Sequence, residues 1–304
     1  MVRNRKSNHV IDFDHKIIDD LFVANKHFGD IGEFLSWVDS IYPDDDNAYS
    51  DADSSNSKWV YGSYGLKKSR EILSKGDPTK KVLEFVENYR AELQLQGAYD
   101  LQTSIKSCKR RRRYSEDGEN IDIDRYLCDD IQMWETIKRD GKKEYIKLAI
   151  NFGQNGDQSE ESFARNTAIT FCTAEILENL GYSVEIVGTA CSKGCVSYNY
   201  LESVYGIDLS YVSKNYASVS FTIKKSEEYT DVGALTSTSL TSLFRKWGFN
   251  ARKTIYGKPA GSSVHPPQEF KNLIGADIFI GNMRNYTGSD VQTVEKIVRD
   301  VISK

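Results

Sequence analysis

Tyr145-Ile146-Lys147-Leu148-Ala149-Ile150 is an apolar run of strand length, and the polar turn Asn151–Asp157 follows it. From Ser159 to Leu180 the apolar residues Ala164, Ala168, Phe171, Ala174, Leu177 and Leu180 recur at helical spacing. Gly181 stops that pattern, and Tyr182–Val187 is a second strand-like run. The pattern predicts a strand–helix–strand unit. Ligands of open α/β sheets sit at the carboxyl ends of the strands, so a site is expected to begin at the turn Asn151–Asp157. Ala217–Ile223 and Ala276–Ile280 predict two more buried strands. Val232–Trp247 predicts a helix stopped by Gly248, and Val291, Val294, Val298 and Val301 predict a last one.

Upstream the pattern changes. Residues 1–26 read as a polar lead-in with one short apolar patch, Ile17–Val23. Asp30 is placed to cap a helix carrying Ile31, Phe34, Leu35 and Val38. Pro43–Lys58 is an aspartate-rich loop without the glycine and closing glutamate of a calcium loop, so it reads as solvated. Gly65–Gly76 and Pro78–Leu95 read as two helices, the second opened by Asp77 and Pro78. The segment from about 104 to 126 then carries Lys109, Arg110, Arg111, Arg112 and Arg113, followed by Glu116-Asp117-Gly118-Glu119. Asp117-Gly118 signals a hairpin. Ile121 and Ile123 alternate with Asp122 and Asp124, so the basic run is expected to pair with an acidic strand.

The expected fold class is therefore α/β, a mostly parallel, Rossmann-like sheet flanked by helices from residue 142 to 304. Residues 1–141 form a mainly helical region with a charged β-hairpin. Nothing Pro- or Gly-rich separates Leu127 from Tyr145, and Trp134 lies between them, so the two parts are expected to pack on one core.

Composition narrows the function more than the fold. The chain has 304 residues, 39% of them hydrophobic, and a formal net charge of −4. That is globular, with no basic field over the whole surface to attract nucleic acid. No run approaches the ~18 apolar residues of a membrane span, so no membrane partner is expected. No apolar segment follows the basic start, and the five cysteines lack framework spacing; a cytoplasmic protein with reduced thiols is expected.

Candidate chemistry is sparse. No Gly-x-Ser-x-Gly, His-Glu-x-x-His or spaced carboxylate pair is present, so no catalytic residue is assigned. Cys191-Ser192-Lys193-Gly194-Cys195 could be a redox pair or half a zinc site, with Lys193 lowering a thiol pKa; no second pair completes it, and free loop thiols are the simpler reading. The turn after the first strand is not a dinucleotide fingerprint, and the acids at the helix start oppose a phosphate there. The arginine run alone suggests nucleic acid, because guanidinium forks fit phosphate oxygens.

The turn Asn151-Phe152-Gly153-Gln154-Asn155 resembles the position of the metal motif, Asp-x-Ser-x-Ser, of von Willebrand factor A domains. Asn151 stands in place of the aspartate, and Gly153 and Asn155 in place of the serines. Thr230 would take the downstream threonine, and the later strand ends in Ile280-Gly281-Asn282 without the Thr-Asp-Gly of that fold. Two amides and a glycine hold a hard cation poorly, so no metal or other cofactor is expected. The order of basic run, Glu-Asp-Gly turn, Ile-Asp-Ile-Asp-Arg-Tyr-Leu, Trp134 and Gly181-Tyr182-Ser183-Val184-Glu185 is similar to a group of uncharacterised proteins of tailed bacteriophages. That resemblance implies a bacteriophage origin and a bacterial host cytoplasm. The function expected is a non-catalytic protein-interaction module with a degenerate metal motif, meeting a phage or host protein at the strand-end turns Asn151, Gly153, Asn155, Asp157, Thr230 and Asn282. One alternative is nucleic-acid binding through Lys109–Arg113. The other is an enzyme with a small-molecule site at Asn151–Asp157.

Overall fold

The computed structural model describes residues 11–42, 65–75, 79–95, 110–115, 120–121, 134–139, 144–152, 160–228, 230–240, 242–259, 262, 266–281 and 289–303. Strands among them are β1 (Asp14–Ile18), β2 (Leu21–Phe28), β3 (Arg110–Ser115), β4 (Asn120–Ile121), β5 (Trp134–Arg139), β6 (Tyr145–Asn151), β7 (Ser183–Thr189), β8 (Ser192–Lys193), β9 (Lys214–Lys224) and β10 (Ile278–Ile280). The α-helices are α1 (Ile31–Ile41), α2 (Gly65–Lys75), α3 (Lys80–Leu95), α4 (Glu160–Asn179), α5 (Tyr198–Tyr205), α6 (Val232–Thr236), α7 (Phe249–Tyr256), α8 (Gln268–Ile274) and α9 (Asp290–Ile302). The aspartate loop Pro43–Lys58, the Asp77-Pro78 junction, the Asp117-Gly118 turn, Asp122 and Asp124 lie outside the described residues.

Seven strands form one sheet in the order β1-β2-β9-β7-β6-β10, with β8 added against β9. It is mixed, not mostly parallel. β6 runs parallel to β7 and β10, and β2 parallel to β9. But β9 runs antiparallel to β7, and β1 antiparallel to β2. The reason lies after Thr189. The chain turns back there into β8, which pairs with the start of β9 at Ala217 and Tyr216. No crossover carries it to the opposite edge, so β9 enters beside the exit of β7 and runs back.

The expected polar lead-in is also corrected. Leu21-Phe22-Val23-Ala24 belongs to β2, which lies between β1 and β9. Phe22, Val23 and Ala24 are all fully buried, as a strand covered on both faces requires. Asp14–Ile18 and Leu21–Phe28 are thus part of the main sheet.

Strand alternation separates the two faces. Phe22, Ala24 and Phe28 of β2 and Ala217, Val219 and Phe221 of β9 share one core cluster with Phe34 of α1, Trp247 and Ile255. On the same face, Ile146, Leu148 and Ile150 of β6 pack with α4, α3 and α9. The opposite face carries a smaller cluster, in which Val23, Ala149 and Phe279 meet Phe270 and Ile274 of α8. Among the described residues the long helices therefore stand on one face only. A doubly wound sheet would divide them between both.

Gly188 of β7 marks how closely this core is packed: a Cβ there would lie 2.9 Å from the Phe221 ring. α4 is buried on most of its circumference because α3 and α9 cover its outer side. Arg90 of α3 grips Glu175 with both guanidinium arms and lies over the Phe171 ring at 4.8 Å.

The helix expected at Val232–Trp247 is broken. After α6 come a 3₁₀ turn, Ser237–Ser239, and a π-helix, Leu243–Gly248. Thr236, Ser237, Thr238 and Ser239 each donate a side-chain hydrogen bond to a carbonyl three or four residues back, which competes with regular helix. Gly248 does not stop the chain, which continues into α7. A Cβ there would meet Ala190 and Phe152 at 3.6 and 3.7 Å, ordinary contact distances, so neither space nor backbone demands glycine at this position. Gly257, at φ +82°, ends the helix, as left-handed glycines do.

Candidate functional site

The carboxyl edge of β6 and β7 is the expected place for a site. Asn151 ends β6, fully buried. Its Oδ1 accepts from the Cys191 backbone N–H at 3.1 Å, and its Nδ2 donates to the Cys191 carbonyl at 3.4 Å. The amide thus imitates a strand partner and ties β6 to the chain leaving β7. This is a structural employment of the side chain that the expected ligand role would have to break. Gly153, Asn155, Asp157 and Asn282 lie outside the described residues.

Thr230 does not join Asn151. It follows β9, which runs against β7, so it leaves the sheet at the opposite edge. There it stands with Ile186, Ile223 and Lys224. The expectation failed because a strand's direction, which decides the edge it exits from, leaves no mark on its periodicity.

Cys191 and Cys195 are free and fully buried. Burial pushes both thiols up, Cys191 well above the ordinary value, and Arg252 only partly opposes this. The expected lowering by Lys193 is absent, so neither is poised as a nucleophile. No group of His, Cys, Asp and Glu among the described residues could hold a metal ion. No helix among them is long and apolar enough to cross a membrane.

The face of the sheet that carries α8 bears a polar chain, its Asn25, Ser218 and Ser220 buried, that sequence reading missed. Ser218 Oγ donates to Asn25 Oδ1 at 2.6 Å, and Asn25 Nδ2 donates to Ser220 Oγ at 2.9 Å. His27 Nδ1 lies 3.0 Å from Ser220 Oγ and His27 Nε2 3.3 Å from Thr222 Oγ1. Ser220 accepts from Asn25 and keeps its own proton to donate, and one tautomer of the neutral ring lets it donate to Nδ1. In that tautomer Nε2 donates to Thr222. Burial, then Lys147, holds the His27 pKa below its usual 6.5, against Glu185, Glu33 and Asp14. The folded state therefore binds this proton less readily than the unfolded chain, and the stability it confers is lost as pH falls through and below 6.5. The expected result is a urea midpoint that drops more for wild type than for His27→Gln between pH 7.5 and 5.5. Equal drops would contradict it.

The basic run is the remaining candidate, and its pairing is corrected. β3 pairs antiparallel with β5, and β4 pairs with the far side of β5, giving the order β3-β5-β4. The arginines therefore do not face an acidic strand. Arg110 stands opposite Arg139, Arg111 opposite Lys138, Arg112 opposite Ile137 and Arg113 opposite Thr136. The local Asp-Gly turn signal had suggested β4 as the partner, and the long-range pairing with β5 won. Lys138 and Arg139 are the residues that reading overlooked; two adjacent cations closing the strand Trp134–Arg139 were the available signal. Among the described residues β4 reaches only Glu135 and Trp134, and the basic stretch pairs as two strands, β3 and β5. Lys109 lies outside the described residues.

A family model described as Domain of unknown function (DUF7192) matches residues 10–302, and the chain belongs to that family. No curated protein and no solved structure matches it.

Proposed function

We propose that this family member binds a polyanion, nucleic acid foremost, through the ribbon of β3 and β5. The register carries the reading: Arg110 opposite Arg139 and Arg111 opposite Lys138. Like charges directly across an antiparallel pair are destabilising. Phosphates set along the ribbon would convert that repulsion into charge-assisted hydrogen bonds. The formal net charge of −4 makes the contact local, a matter of this ribbon and not of the whole surface.

The test separates binding from folding. Arg111→Ala with Arg113→Ala should weaken binding to a short DNA duplex at physiological salt by about tenfold or more. The melting temperature should stay unchanged or rise slightly, because Lys138 loses a repulsive neighbour. A clear fall in stability with unchanged binding would mark the run as structural.

A protein-interaction module is the second reading, and β1 supports it. Its outer edge has no strand partner among the described residues, and Ile18 is 41% exposed. A partner segment could add to that edge as a further strand. The likeness to von Willebrand factor A domains is supported by the β6–α4–β7 unit and opposed by the reversed β9 and β2. A bacteriophage origin and a host cytoplasm belong to this same reading.

A further inference from the structure

We infer that the outer edge of β1 pairs with β1 of a second copy of this chain, antiparallel, about a twofold axis through His15. A second copy is then the occupant of the edge that the protein-interaction reading leaves open, and it rests on that reading; the basic ribbon plays no part. The two edges of the main sheet differ. β10 is buried along its length, whereas Asp14, His15, Lys16 and Ile18 of β1 are exposed. β1 turns into β2 with Ile18 opposite Leu21. The Asp20 carbonyl accepts from the Lys214 N–H, so it points to β9. Backbone groups alternate in direction along a strand, so those of Phe22 and Ala24 also point to β9, and those of Leu21, Val23 and Asn25 point to β1. Their partners Ile18, Lys16 and Asp14 point back at them. That leaves the N–H and C=O groups of His15 and Ile17 directed outward, and no strand among the described residues pairs with them. An exposed row of this kind is a template for one more strand.

Charge selects the occupant and its register. Across the β1–β2 pair, Asp14 and Lys16 stand opposite the neutral Asn25 and Val23, so neither charge is answered there. Outward groups must meet outward groups, so the second strand can shift only in steps of two residues. With His15 opposite His15 of the second copy, Asp14 faces Lys16 of the second copy, and symmetry makes that pair twice. Both pairs are of the closer, non-hydrogen-bonded kind. Phe13 then faces Ile17 of the second copy. A shift either way centres the axis on Asp14 or on Lys16 and sets two like charges face to face, which is destabilising. A strand with opposite charges on either side of His15 is thus complementary to itself in this register, and the twofold pair closes as a dimer. One added strand is a small interface, so association in the micromolar range is expected.

Sedimentation of the full chain, from low micromolar to submillimolar concentration, should show a monomer–dimer equilibrium. Asp14→Lys alone and Lys16→Asp alone should each weaken it by about tenfold or more, because two pairs turn like-charged at once. Mixed in equal amounts, these two variants should dimerise with each other about as tightly as wild type, since every pair across the axis is again opposite in sign. His15→Pro, which removes an outward N–H that no strand of the same chain uses, should leave a monomer. Melting temperatures near that of wild type should confirm the fold of all three; if the proline variant does not fold, the charge variants still decide. A wild type that stays monomeric, a dimer that survives Asp14→Lys or His15→Pro, or a mixture that does not associate would each overturn the inference. Hydrogen exchange at the His15 and Ile17 amides separates its failure from that of the protein-interaction reading. Protection should appear only as the dimer forms. Fast exchange in a chain that remains monomeric would remove the second copy and leave the edge open to another strand. Protection already present in the monomer would show the edge covered, and both would fall.

Discussion

Asp290→Ala should lower the free energy of unfolding by about 3 kcal/mol. Asp290 opens α9, is 8% exposed and accepts both Arg165 arms, at 2.8 and 2.7 Å. The Tyr89 hydroxyl donates to the same carboxylate. One side chain therefore joins α3, α4 and α9 around the second core. Removing it leaves a buried tyrosine hydroxyl and a guanidinium without their acceptor. Arg165 is 40% exposed and can turn partly to water, which places the expected cost at the low end for a broken buried pair. Burial works to raise the Asp290 pKa, but the hydrogen bonds from Arg165 and Tyr89 outweigh it, and the carboxyl stays below its usual 3.8. The stabilisation is present above about pH 4 and is lost as pH falls through the lowered value. Urea unfolding of wild type and variant at neutral and acid pH checks both statements. A difference under 1 kcal/mol at neutral pH would contradict the first.

Trp247→Ala should cost about 3–5 kcal/mol. The indole is fully buried in the π-helical turn, within the cluster that joins β2, β9 and α1. Its Nε1 donates to Asp39 Oδ1 at 3.0 Å, and Asp39 also meets Arg70 at 3.4 Å. Truncation opens a cavity and leaves Asp39 one donor short, two losses that a phenylalanine would split. Trp247→Phe keeps most of the volume and should cost about 1–2 kcal/mol. Denaturant midpoints of the two variants measure the division; equal losses would show that the hydrogen bond, not the packing, dominates.

What could be read from the chain follows from where each signal resides. β6, α4 and β7 were legible because Ile146, Leu148, Ala164, Ala168 and Val184 repeat their period over many residues. The direction of β9 was not, since a strand alternates identically whether it runs with or against its neighbour. β2 escaped because Asn25, Lys26 and His27 look like loop residues. Their polar partners, Ser218, Ser220 and Thr222, are more than 190 positions away. The end of the 243–256 helix was misplaced because Gly248 and Gly257 are identical in sequence, and only Gly257 takes a positive φ. At the candidate sites the same division holds. The arginine run announced itself by composition, but its opposition to Lys138 and Arg139 is a matter of register. Asn151 was conspicuous at the strand end, yet its engagement with Cys191 depends on how the chain turns after β7.

The most direct test of polyanion binding is its salt dependence. Affinity for a short DNA duplex, measured by fluorescence anisotropy from low to physiological salt, should fall linearly on a log–log plot. The slope should be about −0.9 for each phosphate engaged. Arg111→Ala with Arg113→Ala should make that slope shallower by about two contacts' worth while the melting temperature holds. Absence of binding at low salt, or a slope that the double variant leaves unchanged, would contradict the account.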